Sequence, residues 1–152
     1  GICAGAFLAA SNYSWSLGIS NHKTFCETID VPGIGRKSMW FRGGSAPVTM
    51  ELTDEGRSIL GDFEGVFEVR YQNGPIMSPM GRQGLGNFRS LAHFRSEVSK
   101  YKPQEGTMIN TPAVIVGEYG DGRVLCISPH PESTDALNRL VQNAVRWTAR
   151  RR

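Results

Sequence analysis

The sequence predicts an α/β domain, and three stretches predict it. Residues 1–10, Gly-Ile-Cys-Ala-Gly-Ala-Phe-Leu-Ala-Ala, set a cysteine between glycines ahead of a small-residue apolar run that reads as a buried helix over 4–11. Two β-branched runs, 112–119 and 123–128, flank Gly120-Asp121-Gly122, a strong hairpin signal. Near the end, Leu137, Leu140, Val141, Ala144, Val145 and Thr148 recur at helical spacing with Trp147 at the border of that face. A chain of 152 residues with 39% hydrophobic content fits one domain with a real core.

Taken in order, the helix after Cys3 ends near Ser11 and Asn12, and 12–30 is a mixed polar stretch anchored by scattered aromatic and aliphatic residues. His22 lies there and reads as a solvated surface histidine. Glycine and proline punctuate 31–44 around a short strand at Ser38–Phe41, and Gly33-Ile34-Gly35-Arg36 lacks the rest of a phosphate-binding fingerprint. Val48–Leu52 alternates like a half-buried strand, and Thr53 caps a short helix through Leu60. Gly65–Tyr71 alternates again and ends in the turn Gln72-Asn73-Gly74-Pro75. Residues 78–90 read as loop, and 89–101 fit strand and helix equally. Cys126 sits among Leu125 and Ile127 as a core residue. Ser133 or Thr134 caps the last helix, with Asp135 in its first turn.

Several function classes are disfavoured. No apolar run is long enough to span a membrane. The net charge of +3 owes much to Arg146 and Arg150–Arg152, which suit a helix C-terminus, so nucleic acid is not an expected partner. Cys3, Cys26 and Cys126 are an odd, widely spaced set without metal-ligand spacing. They indicate neither a metal site nor a disulfide framework, and they favour a reducing, cytoplasmic compartment. No cofactor is expected.

One constellation carries chemistry. Gly1 and Gly5 would permit the sharp strand-to-helix turn of a nucleophile elbow at Cys3, where the helix start favours a thiolate. His130, in Ser128-Pro129-His130-Pro131-Glu132, follows a buried strand and stands at its end. Pro131 restricts the backbone so that Glu132 can orient the imidazole. Thiol, imidazole and carboxylate are the three parts of a cysteine nucleophile system.

The two segments Gly1–Gly5 and Ser128–Glu132 together resemble the class I glutamine amidotransferase-like superfamily. The Cys-Ala-Gly-Ala-Phe variant, the Tyr71-Gln72-Asn73-Gly74-Pro75 turn, Tyr119–Val124 and Asn143–Trp147 resemble its branch related to the N-terminal domain of biotin–protein ligases. The resemblance implies a flavodoxin-like three-layer α/β sandwich with a largely parallel sheet, of which 1–152 is a single partial domain ending in the hairpin and helix. It implies Cys3 as nucleophile, His130 as general base and acid, Glu132 as orienter and the Ala4 N–H as an oxyanion donor. The substrate is then a small-molecule carboxamide, with Phe7, Tyr71, Gln72, Asn73 and Gly74 as pocket candidates. Phe7 stands where amidotransferases carry glutamine, so plain glutamine is not the expected substrate. In the superfamily several βα units precede the elbow. The resemblance therefore implies a missing N-terminal segment as partner, and a chain unstable or aggregation-prone without it. A non-catalytic ligand-binding or regulatory module of the same fold is the alternative.

Overall fold

A computed structural model describes residues 1–39, 44–98 and 106–149. A short helix, α1 (Ala4–Ala9), leads to a small antiparallel pair between β1 (His22–Thr24) and β6 (Met77–Pro79). A protruding hairpin joins β2 (Glu27–Val31) to β3 (Gly35–Met39). The principal sheet contains β4 (Ser45–Leu52), β5 (Val66–Gln72), β7 (Arg89–Phe94), β8 (Pro112–Tyr119) and β9 (Gly122–Ile127), in the order β5-β4-β7-β8-β9. Helix α2 (Asp54–Leu60) joins β4 to β5, and α3 (Asn138–Ala149) closes the described chain.

Every strand pair in this sheet is antiparallel, which corrects the flavodoxin-like sandwich with a largely parallel sheet. The reason is a length mismatch. Eight extended residues of β4 run about 26 Å, whereas the seven of α2 span about 10 Å. So short a helix does not by itself carry the chain back to the start of β4, and β5 returns alongside it in the opposite sense. Thr53 still caps α2 as expected, its Oγ1 accepting from the Gly56 N–H at 3.0 Å. Among the described residues the only parallel pairing is an isolated bridge between Ile2 and Ile127, where the segment leading into the elbow runs beside β9.

The sheet has two buried faces at its β8–β9 side. Val114, Val116, Leu125 and Ile127 join Val48, Met50, Leu52, Val69 and Tyr71 in the main core, together with Leu60 of α2 and Leu140 of α3. Ile115 and Cys126 point the other way, against Ala6 and Ala9 of α1 and Met77. On that second face the β4–β5 end is uncovered, so Glu68, Arg70 and Gln72 form an exposed stripe along β5.

Laid flat, β5 and β9 would lie about 19 Å apart across four inter-strand steps. The sheet instead curls into a half-barrel. Past the end of β9, the His130 N–H donates to the Arg70 carbonyl of β5 at 2.7 Å. Gly74, just past β5, lies so close to Ser128 that a Cβ there would stand 2.1 Å from the Ser128 carbonyl oxygen. The two edges of the sheet thus meet at one end.

Other expectations are adjusted. The segment after His130 forms two 3-10 turns, Pro131–Ser133 and Asp135–Leu137, and α3 starts only at Asn138. Neither Ser133 nor Thr134 therefore caps α3. Val145 is exposed rather than buried, while the Arg123 guanidinium lies 4.9 Å from the Trp147 ring centroid. The strand placed at Ser38–Phe41 is described only as far as Met39. Trp40, Phe41, residues 99–101 and Arg150–Arg152 lie outside the described residues.

Candidate active site at the closure of the sheet

Cys3 sits on a strained backbone, φ 48° and ψ −104°. Such a conformation is uncommon for a side chain with a Cβ and costs about 1–3 kcal/mol. Neighbouring hydrogen bonds enforce it. On one side, the Cys3 N–H donates to the Ile127 carbonyl and the Ile127 N–H donates to the Gly1 carbonyl, both at 2.8 Å. On the other, the Cys3 carbonyl accepts from the Ala6 and Phe7 N–H groups at 2.9 and 3.2 Å, which starts α1. Gly1 is required by space, since a Cβ would stand 2.4 Å from the Gly5 carbonyl oxygen. At Gly5 a Cβ would meet nothing within 4 Å.

His130 and Glu132 are brought together by the proline-led 3-10 turn. Nδ1 of His130 lies 2.6 Å from Oε1 of Glu132. A neutral imidazole donating from Nδ1 leaves Nε2 able to take up a proton. The Cys3 thiol donates to the Gln72 carbonyl at 3.5 Å and makes no hydrogen bond to His130. The thiol thus meets the end of β5 at Gln72 and lies within the field of Glu132, and the turn that carries Glu132 is itself tied to β5 through the bond from the His130 N–H to the Arg70 carbonyl.

The electrostatics differ from the expected ready-made thiolate. Burial pushes the Cys3 thiol above its ordinary value, and the Glu132 charge pushes it further the same way. The Ala4 backbone N–H beside the sulfur acts in the opposite direction and does not win. With six residues, α1 contributes little dipole. The balance favours the protonated thiol over the thiolate.

The remaining pocket candidates divide. Gln72 is exposed beside the thiol. Asn73 adopts a left-handed conformation, φ 56°, that turns the chain out of β5. Gly74 is buried against Ser128, and Phe7 is half-buried on α1. Tyr71 does not line the cleft. It is buried on the core face, edge-on to Phe94, and its hydroxyl donates to the Gly74 carbonyl at 2.6 Å. Its role is to hold the turn.

Sequence reasoning missed three groups. His22, read as a surface residue, is fully buried beneath α1. Its Nε2 lies 3.2 Å from the Ala6 carbonyl and its Nδ1 2.9 Å from Ser20 Oγ, and burial pushes its pKa down to about 4. Ser128 Oγ is buried with no hydrogen-bond partner among the described residues. Arg70 lies on the exposed stripe beside Gln72. Its alternation with buried Val69 and Tyr71 was the available signal, since it places Arg70 and Gln72 on one face.

Among the described residues no group of three or more His, Cys, Asp or Glu side chains could hold a metal ion. No described helix is long and apolar enough to cross a membrane. No protein-family model, curated protein or solved structure matches the chain.

Proposed function

We propose that this chain carries a cysteine-dependent amidase or amidotransferase-like hydrolase site, with Cys3 as nucleophile, His130 as general base and acid, and Glu132 as the orienting carboxylate. The observation that carries the reading is a strained, positive-φ cysteine within the field of Glu132, the same carboxylate that holds the His130 imidazole. The thiol proton passes to His130 Nε2 after the side chain turns from the Gln72 carbonyl. The thiolate attacks the carbonyl carbon of a small-molecule carboxamide, and the Ala4 N–H donates to the developing oxyanion. Collapse breaks the C–N bond, with His130 returning its proton to the leaving nitrogen as ammonia. Water then hydrolyses the thioester to a carboxylic acid. Catalytic hydrogen bonds are often loose before substrate binds, which accommodates the present Cys3–Gln72 contact.

The test is ammonia release from a panel of carboxamides by the wild-type chain, Cys3→Ala and His130→Ala. Release that requires Cys3 and falls at least about a hundredfold without His130 supports the reading. Release independent of Cys3, or none from any carboxamide, removes it.

The second reading, a non-catalytic ligand-binding module, is favoured by the raised thiol pKa and the thiol's engagement with Gln72. It predicts saturable ligand binding that Cys3→Ser leaves intact, with no ammonia produced.

A further inference from the structure

We propose that Arg70, assisted by Gln72, recognises a carboxylate on the substrate, so that the amide cleaved at Cys3 belongs to an anionic molecule. The inference rests on the amidase reading for the word substrate, but the anion site itself does not require catalysis. Arg70 is tied to both halves of the site. Its carbonyl holds the His130 N–H, and its Nη2 donates to Gln72 Oε1 at 2.7 Å. The same Gln72 receives the Cys3 thiol on its carbonyl.

The guanidinium makes no ion pair among the described residues, whereas Arg57, Arg89 and Arg95 each pair with a carboxylate. A guanidinium has five N–H donors in a planar fork suited to carboxylates. The bond to Gln72 leaves the other donors available. With its oxygen accepting from Arg70, the Gln72 amide also keeps its NH2 as a further donor.

There is room for the ligand. A cleft of about 410 Å³ opens over the exposed face, lined by Ser45, Pro47, Glu68, Arg70 and Thr134. Arg70 and Thr134 connect it to the His130–Glu132 turn, whose Pro131 carbonyl accepts from the Thr134 N–H. Glu68 lies two residues along the same face without pairing with Arg70, so the cleft is not uniformly cationic. An anion is selected at its Arg70 side, where the neighbouring Gln72 amide adds a donor.

Iodoacetate and iodoacetamide provide the test, because they attack the same thiol and differ in carrying a carboxylate or an amide. In a Cys26→Ser background, with Cys126 buried, alkylation of Cys3 is followed with each reagent, with and without succinate. Arg70→Gln should lower the iodoacetate-to-iodoacetamide rate ratio about threefold, the size expected of a partly exposed ion pair. It should also abolish saturable protection by succinate. Arg70→Lys, which keeps the charge, should hold most of the ratio. Arg146→Gln, which makes the same change in net charge on α3, should leave it alone. An unchanged ratio and unchanged protection in Arg70→Gln overturn the proposal, as does a wild-type Cys3 that neither reagent reaches. The effect of His130→Ala on the iodoacetamide rate separately tests the nucleophile, so the two readings fail distinguishably.

Discussion

Gly74→Ala tests whether the closure of the sheet determines the site. Gly74 has no positive φ, so its requirement is spatial. An added Cβ would lie 2.1 Å from the Ser128 carbonyl oxygen, 2.7 Å from its Oγ and 2.8 Å from its carbonyl carbon. Backbone atoms cannot rotate away as a side chain can. Reaching even 3.0 Å means separating the ends of β5 and β9 by about 0.9 Å. Overpacking costs about 1–3 kcal/mol, and a clash with backbone belongs at the upper end. At about 2–4 °C per kcal/mol for a domain of this size, the melting temperature should fall by about 6–12 °C. Ser128 lies two residues before His130, so any surviving folded protein should also lose most Cys3-dependent ammonia release. Thermal denaturation followed by circular dichroism, with the activity assay beside it, measures both. Gly5→Ala supplies the contrast, with open space around its Cβ and no comparable loss. A Gly74→Ala protein that melts within about 2 °C of wild type with unaltered chemistry refutes the geometric reasoning.

Three further outcomes follow from the structure. Burial lowers the His22 pKa from 6.5 to about 4, so the unfolded chain takes up a proton before the folded one does. Stability should fall by about 3 kcal/mol as pH drops from about 6.5 to about 4 and level off below that. Denaturant titrations should show that slope flattened in His22→Gln. Because burial and Glu132 both raise the Cys3 thiol, alkylation by iodoacetamide should climb with pH beyond the ordinary thiol range. Glu132→Gln should move that climb to lower pH while decreasing ammonia release; a decrease in both at every pH would contradict the assigned roles. Tyr71→Phe removes the donor to the Gly74 carbonyl and should destabilise the fold by about 1–3 kcal/mol in urea denaturation.

The parts of the candidate site were legible because each carries a local signal: glycines about Cys3, and prolines around His130 that position Glu132. The sheet direction was not. A helix between two strands suggests a parallel crossover, and only the shortness of Asp54–Leu60 argues against it. Strand β7 was obscured by register shifts between Ser90 and Ala92 and between Ala92 and His93. These bury Leu91 and Ala92 in succession and break the two-residue period on which strand reading depends. Hairpin β2–β3 was obscured for the opposite reason, since Glu27 and Thr28 face solvent and Val31 alone is buried in β2. His22 was misread because its neighbours Ser20, Asn21 and Lys23 are polar, although Ser20 and Asn21 are themselves buried with it.

The meeting of β5 and β9 also fixes when reactivity can emerge. Residue 3, the turn at 72–74 and the segment 128–132 belong to no common local unit, so no partly folded fragment can make both the contact of Cys3 with Gln72 and that of His130 with Arg70. During synthesis Cys3 leaves the ribosome well over a hundred residues before His130. In a refolding experiment, His130-dependent modification of Cys3 would therefore switch on only with the last long-range contact, making this thiol a clock for completion of the fold.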